Sequence, residues 1–427
     1  MAQKASISFF IILYLFFHSI QANNCSDDII DTTISPPPAS STESNSTFWT
    51  IYEIDNSTGA RCLDGSVYKF FHIEGFGSGA KKFMIFFPGG GFCGYENRPF
   101  LDSCFSRSQS MAGSSEFIGS NGSIYETTFF LSYFSSNPQI NPLFANWNKI
   151  YLLTCDGTFF QGFLEEPILY NGTNLYFRGY NNTMATFEFL KQNKALFEAE
   201  EVIIMGNSSG GQAILIWMDF LRKYLPSGIK MSGISDAGLF LDIVNQNSQC
   251  HLFRKNLQIV ANYTKSSRLD IFEGCKYRNN RKKFYKCLIP EYFMANITVD
   301  MFIINSQNDF EVMRTAYGLH CLDKGLNGCD KTVDAKIWKF REKFLRIVMK
   351  LKAKKKSWGF WLRRCLEHYY ISSDMAWMGN LTTYSAEINE WNSIREAYYR
   401  WYEGRNNKEL PAAFIDLKNW EDDCPVS

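Results

Sequence analysis

Apolar residues along this chain fall into short runs separated by longer, periodic stretches. Glu201–Met205 is a five-residue run containing Val202, Ile203 and Ile204, the composition of a strand buried on both faces. The segment after it, Gln212–Leu221, is apolar on most of its circumference and predicts a buried helix. Further strands are predicted at Ser66–Ile73, Lys82–Phe87, Lys149–Thr154, Gly228–Ile234 and Thr298–Asn305. Between them, 183–199 carries Phe187, Leu190, Leu196 and Phe197 on one stripe. The stretch 333–353 points Ile337, Phe340, Phe344, Ile347, Val348 and Leu351 inward, and its lysine-rich end reads as a solvated face. Strands alternating with helices predict a mainly parallel sheet flanked by helices, an α/β fold. Residues 242–295 break the alternation with many charges and three cysteines, and predict a helical cap or insertion stapled by disulfides.

The two ends read differently. Residues 1–22 combine Lys4 with an apolar stretch through Phe9–Phe17 and a small residue at Ala22, the pattern of a secretory signal too short to span a bilayer. Residues 23–48 are rich in Ser, Thr, Asn and Pro and predict a disordered leader. One domain is expected over 49–427, and no segment after the leader is apolar enough for a membrane span.

Composition changes this picture in two ways. A net charge of +1 gives no long-range field for nucleic acid. Twelve cysteines, an even count lying wholly after the signal, predict disulfides in an oxidising compartment, and no Cys-x-x-Cys pair with matching histidines points to zinc. N-glycans are expected at the sequons of Asn24, Asn45, Asn56, Asn121, Asn171, Asn181, Asn262, Asn296 and Asn380. The sequon at Asn207 is expected to stay unmodified, because a glycan there would cover Ser208.

The chemistry centres on Gly206-Asn207-Ser208-Ser209-Gly210-Gly211, which joins the Glu201–Met205 strand to the helix after it. Strand, tight turn with glycines flanking a serine, then helix is the nucleophile elbow, G-x-S-x-G. The helix start directs free N–H groups at the serine oxygen. A second glycine loop, Pro88-Gly89-Gly90-Gly91-Phe92-Cys93, ends the Lys82–Phe87 strand and can bring another backbone donor to a developing oxyanion. A serine nucleophile needs a base. His72 lies in a strand before the serine, and His251 and His320 each neighbour a cysteine, so chain order favours His368. Asp309 and Asp236 both follow strands and both fit as the acid that orients it.

These segments, with Cys155-Asp156-Gly157, Leu175-Tyr176-Phe177-Arg178-Gly179, Ser235-Asp236-Ala237-Gly238 and Cys365-Leu366-Glu367-His368, occur in the order found in the pectin acetylesterase/Notum family, which the chain resembles over about 50–405. The resemblance implies a secreted, α/β-hydrolase-like serine carboxylesterase that needs no cofactor or metal. It implies Ser208, Asp309 and His368 as catalytic triad, oxyanion donors at Ser209 and at Gly90 or Gly91, and a pocket touching Phe92 and Asp156. Pro88 stands where the family has an acidic residue, Phe92 where it has Trp or Tyr, and Ser209 where it has alanine. The expected substrate is an acetylated polysaccharide. The alternatives are a lipidated protein, as for Notum, or a catalytically inactive glycan-binding role.

Overall fold

A computed structural model describes residues 48–417 except 96–97, 119–121, 126–131, 325, 372–375, 378, 380, 386–387 and 408–412. The signal, almost all of the leader, Cys25, Cys424 and the sequons at Asn24, Asn45, Asn121 and Asn380 lie outside the described residues. The strands in chain order are β1 Phe48–Glu53, β2 Lys69–Ile73, β3 Lys82–Phe87, β4 Gly122–Tyr125, β5 Asn148–Leu152, β6 Ile168–Tyr170 and β7 Thr173–Leu175. They continue with β8 Glu201–Asn207, β9 Lys230–Asp236, β10 Asp300–Ser306, β11 Gly359–Arg363, β12 Thr383–Ser385, β13 Glu390–Asn392 and β14 Ala413–Ile415. Among the described residues six helices exceed two turns: α1 Phe100–Ser108, α2 Gly179–Asn193, α3 Ser209–Tyr224, α4 Leu252–Thr264, α5 Val333–Lys354 and α6 Ile394–Asn407.

Ten of these strands form one sheet in the order β14-β11-β10-β9-β8-β3-β5-β2-β1-β4. From β14 to β5 every neighbour is parallel, and only the β2-β1-β4 edge is antiparallel. This is the mainly parallel sheet that the sequence predicts, with helices on both faces. Strand β8 explains why. Its side chains alternate between two cores, Val202 and Ile204 against the α3 and α5 side, Ile203 and Met205 against the α6 side, so the run must be apolar throughout. Among the described residues no helix is long and apolar enough to cross a membrane.

Several boundaries differ from the sequence reading. Strand β2 starts at Lys69, after the turn that closes the isolated bridge Arg61–Val67. Helix α2 runs from Gly179 to Asn193 and stops where Ala195 enters the left-handed region at φ 53°, leaving Leu196–Glu198 as a separate 3-10 turn. Strand β9 extends to Asp236, which places that residue on the strand and not in the following loop. The 242–295 insertion is helical, as expected, with α4 followed by short 3-10 turns and the one-turn helix Pro290–Phe293. One disulfide staples it, Cys275–Cys287, while Cys250 is an exposed free thiol. Elsewhere Cys62–Cys155, Cys93–Cys104 and Cys321–Cys329 are paired, and Cys365 is also disulfide-bonded.

Candidate active site

Parallel strands present their carboxyl ends on one edge of the sheet, where open α/β folds hold ligands. Register aligns those ends here: Phe87 lies beside Gly206, Asn207 beside Asp236, Asp236 beside Ile304, and Ser306 beside Arg363. The glycine loop after β3, Ser208 after β8, Asp309 after β10 and His368 after β11 therefore emerge together.

Ser208 caps α3 at φ 52° and ψ −125°, a conformation that L residues rarely adopt. Two bonds hold it: its N–H donates to the Asp236 carbonyl at 2.8 Å, and its own carbonyl accepts from Gln212 at 3.0 Å. The turn has no room for a side chain at Gly210, where a Cβ would lie 1.9 Å from the Phe87 carbonyl oxygen.

The three candidate triad residues meet. Nδ1 of His368 lies 2.9 and 3.0 Å from the two Asp309 oxygens, and Nε2 lies 2.8 Å from the Ser208 hydroxyl. An ionised carboxylate only accepts, so Nδ1 carries the proton and Nε2 is left to accept from the hydroxyl. Burial would push the His368 pKa down, but the charge and hydrogen bond of Asp309 outweigh it and hold it above its usual value. The Asp309 and His368 loops are laced together. Gln307 donates to the Arg363 carbonyl at 2.7 Å, Phe310 to the Glu367 carbonyl at 2.9 Å, and the Ser306 hydroxyl bonds the Cys365 carbonyl. Asp309 Oδ1 also accepts from the Val312 N–H at 3.0 Å, which fixes the carboxylate's rotamer.

The backbone N–H groups of Gly90, Gly91 and Ser209 have no acceptor among the described residues, and all three flank the turn that carries Ser208. Gly90 and Gly91 have φ of 142° and 67°, open to glycine and strained for other residues. The loop is tied on both sides. The Gly89 N–H donates to Asn207 Oδ1 at 2.7 Å, and Arg107 Nη2 donates to the Gly90 carbonyl at 2.6 Å. Carbonyl and N–H of one trans peptide point opposite ways, so the Arg107 bond also fixes the direction of the Gly91 N–H. Asn207 is buried and its Oδ1 is engaged by the Gly89 N–H.

Two aspartates serve structure. Asp236 is buried, and its Oδ2 accepts from the N–H groups of Tyr370 and Ile371 at 2.7 and 2.6 Å, pinning the turn just past His368. Burial outweighs those bonds and pushes its pKa up to about 7. Asp156, expected at the pocket, is instead buried in its own turn, where it bonds Thr158 and the Phe160 N–H. Phe92, the other expected pocket residue, is 2% exposed and packs on Tyr95, Phe159 and Phe253. Phe240 continues that cluster, stacking on Phe253 with centroids 5.2 Å apart and meeting His368 edge-on at 6.4 Å. Phe92 is therefore part of the wall behind the imidazole, two rings removed.

The other histidines have separate duties. His72 is buried in β2, bonds Asn148 at 3.1 Å, and is pushed down to about 4 by that burial. His251 lies 2.7 Å from Asp242, whose carboxylate also binds Arg254 and Tyr292. His320 is exposed in a 3-10 turn. The sequence reading missed Arg107 and Phe240. Arg107 sits in a helix with no motif of its own, whereas Phe240 follows Ser235-Asp236-Ala237-Gly238 directly and that adjacency was a usable signal.

Comparison with known proteins agrees with this architecture. The family model described as Pectinacetylesterase matches residues 41–425. Pectin acetylesterase 5 of Arabidopsis thaliana is 31% identical over 301 residues, 70% of this chain and 65% of that protein. Pectin acetylesterase 7 of the same plant is 27% identical over 358 residues, 82% of this chain and 85% of its own length. The palmitoleoyl-protein carboxylesterase NOTUM of Schmidtea mediterranea is 28% identical over 271 residues, covering 61% of this chain but only 49% of that protein. A match that runs unbroken from before β1 to the end of the described sheet, over an elbow, a glycine loop and a histidine in matching order, settles the kinship: this chain belongs to the pectinacetylesterase family.

Proposed function

We propose that this protein is a serine carboxylesterase that removes O-acetyl groups from a polysaccharide such as pectin. The observation that carries the reading is the relay Ser208–His368–Asp309, with bonds of 2.8 and 2.9 Å, beside three backbone N–H groups that have no protein acceptor among the described residues. His368 Nε2 takes the Ser208 proton as Oγ attacks the ester carbonyl, while Asp309 holds the Nδ1 proton and stabilises the imidazolium. The N–H groups of Ser209 and of Gly90 or Gly91 receive the negative oxygen of the tetrahedral intermediate. Its collapse expels the sugar hydroxyl, protonated by His368, and leaves acetyl-Ser208. Water deprotonated by His368 then releases acetate and restores the serine.

A short acyl group is supported by the ring cluster beside the imidazole. Phe92, Phe240 and Phe253 are each at most 3% exposed and fill the space that a long acyl chain would need there. Action outside the cell or in the secretory pathway is supported by the paired cysteines and by the N-terminal signal pattern. Turnover of p-nitrophenyl acetate against p-nitrophenyl octanoate tests the reading. Acetate preference, with acetate released from acetylated pectin, is the expected result. Octanoate preference transfers the assignment to a Notum-like deacylase, and no turnover of either leaves a binding protein on an esterase scaffold.

A further inference from the structure

A cavity of about 470 Å³ opens between the start of α1 and one face of α4, against Cys93 and Gly94. Gly94 lies three residues past Gly91, so this cavity adjoins the glycine loop through the chain, and the Cys93–Cys104 disulfide ties both to α1. Its size suits one or two sugar rings. Helix α4 gives its core face, with Phe253, Leu257 and Val260, to the protein and turns Lys255, Asn256, Ile259 and Tyr263 toward the cavity.

The lining is chemically directed. Asn256 is only 7% exposed, yet its amide makes no hydrogen bond among the described residues. The amide still reaches the water of the cavity, where a ligand's hydroxyl groups can bond it. Arg98 and Lys255 are exposed beside it, and neither forms an ion pair among the described residues. Tyr263 stays 41% exposed while its ring stacks on Phe100 at 4.6 Å, and Phe100 in turn stacks on Phe177. That stack is a rigid aromatic wall for the C–H face of a sugar, lining the same cavity as Arg98, Lys255 and Asn256.

We propose that this cavity is a subsite for a carboxylated sugar residue, a uronate, of the polymer whose neighbouring residue presents its acetyl ester to Ser208. Arg98 and Lys255 pair with the carboxylate, Asn256 with ring hydroxyls, and Tyr263 carries the sugar face. The assignment rests on the esterase reading for its purpose, but not for its detection. The probe is a de-acetylated oligogalacturonate, which binds without turnover, titrated calorimetrically into the full protein and into Arg98→Ala, Lys255→Ala, Asn256→Ala and Tyr263→Ala. Each variant is first checked by thermal melting, and the exposed Lys255 is the one least able to disturb the fold.

The expected result is a five- to tenfold weaker Kd in the Lys255→Ala and Arg98→Ala variants, a comparable loss in Asn256→Ala, and unchanged kcat/KM on p-nitrophenyl acetate in all four. Added salt should weaken the wild type more than the Lys255→Ala or Arg98→Ala variant. Equal binding by all variants overturns the subsite. So does equal binding of the fully methyl-esterified oligomer, which lacks the charge, and so does tighter binding of a sulfated oligosaccharide, which would make the cavity a sulfate site. A wild type that binds the oligomer here but hydrolyses no ester sinks the esterase reading alone. A wild type that releases acetate but loses no affinity in the variants sinks the subsite alone.

Discussion

Replacing Asp236 separates a positioning role from a catalytic one. Its Oδ2 accepts two buried N–H groups, those of Tyr370 and Ile371, while Oδ1 is buried with no hydrogen-bond partner among the described residues. Asp236→Asn can keep a carbonyl at Oδ2, so both N–H groups stay paired. The new NH₂ then occupies the Oδ1 position without an acceptor, at a cost of about 1–3 kcal/mol. Asp236→Ala leaves both N–H groups unpaired, on the order of 2–6 kcal/mol in total, and frees the turn behind His368.

The pH dependence has a definite sign. The Asp236 pKa rises on folding from 3.8 to about 7, so the folded state holds its proton more tightly than the unfolded chain does. Its contribution to stability is therefore full below about pH 4 and is lost as pH rises through about 7, a change of about 4 kcal/mol. Asparagine does not titrate. Urea unfolding of wild type and Asp236→Asn at pH 4 and pH 8 should show the variant less stable at the lower pH, with the gap closing or reversing at the higher. Turnover of Asp236→Asn should stay within about tenfold of wild type, and Asp236→Ala should lose more. A gap independent of pH, or an Asp236→Ala protein with wild-type turnover and melting temperature, refutes the reasoning.

Three further outcomes follow from the same geometry. Asp309→Asn should lower kcat by about 10⁴ with the fold intact. Asp309 raises the His368 pKa, so activity in the wild type should climb with pH through a value above 6.5 as the imidazole loses its proton, and that limb should move to lower pH in the asparagine variant, where burial is opposed only by the weaker influence of Glu311 and Asp236. Arg107→Met should lower kcat about tenfold with KM nearly unchanged, since it frees the Gly90 carbonyl and lets the Gly91 N–H turn away, a smaller loss than deleting an oxyanion donor outright.

Much of the site was legible because parallel strands bring their ends to one edge. Once Glu201–Met205 and Lys82–Phe87 read as buried strands, the glycine turns after them had to share that edge. The choice between Asp236 and Asp309 was not legible from the residues, because both follow adjacent strands. Register decides the geometry: β9 extends through Asp236 itself, which aims the side chain at the backbone after His368, whereas Asp309 lies three residues beyond β10 and reaches the ring. Asp156 misled because its Cys-Asp-Gly setting looks like a site loop, and only coordinates reveal a carboxylate consumed by its own turn. Arg107 was invisible for the opposite reason, since its partner is a backbone carbonyl 17 residues away that no side-chain pattern marks.

The central claim is that Ser208, activated by His368, is the nucleophile. An alkyl fluorophosphonate forms a stable bond only with an activated serine, so labelling followed by peptide mass analysis reads the claim directly. The predicted result is one adduct per chain, on Ser208, abolished in Ser208→Ala and strongly slowed in His368→Ala, with acetate release lost in parallel. An adduct on Ser209, or full labelling and acetate release in folded Ser208→Ala protein, would contradict it.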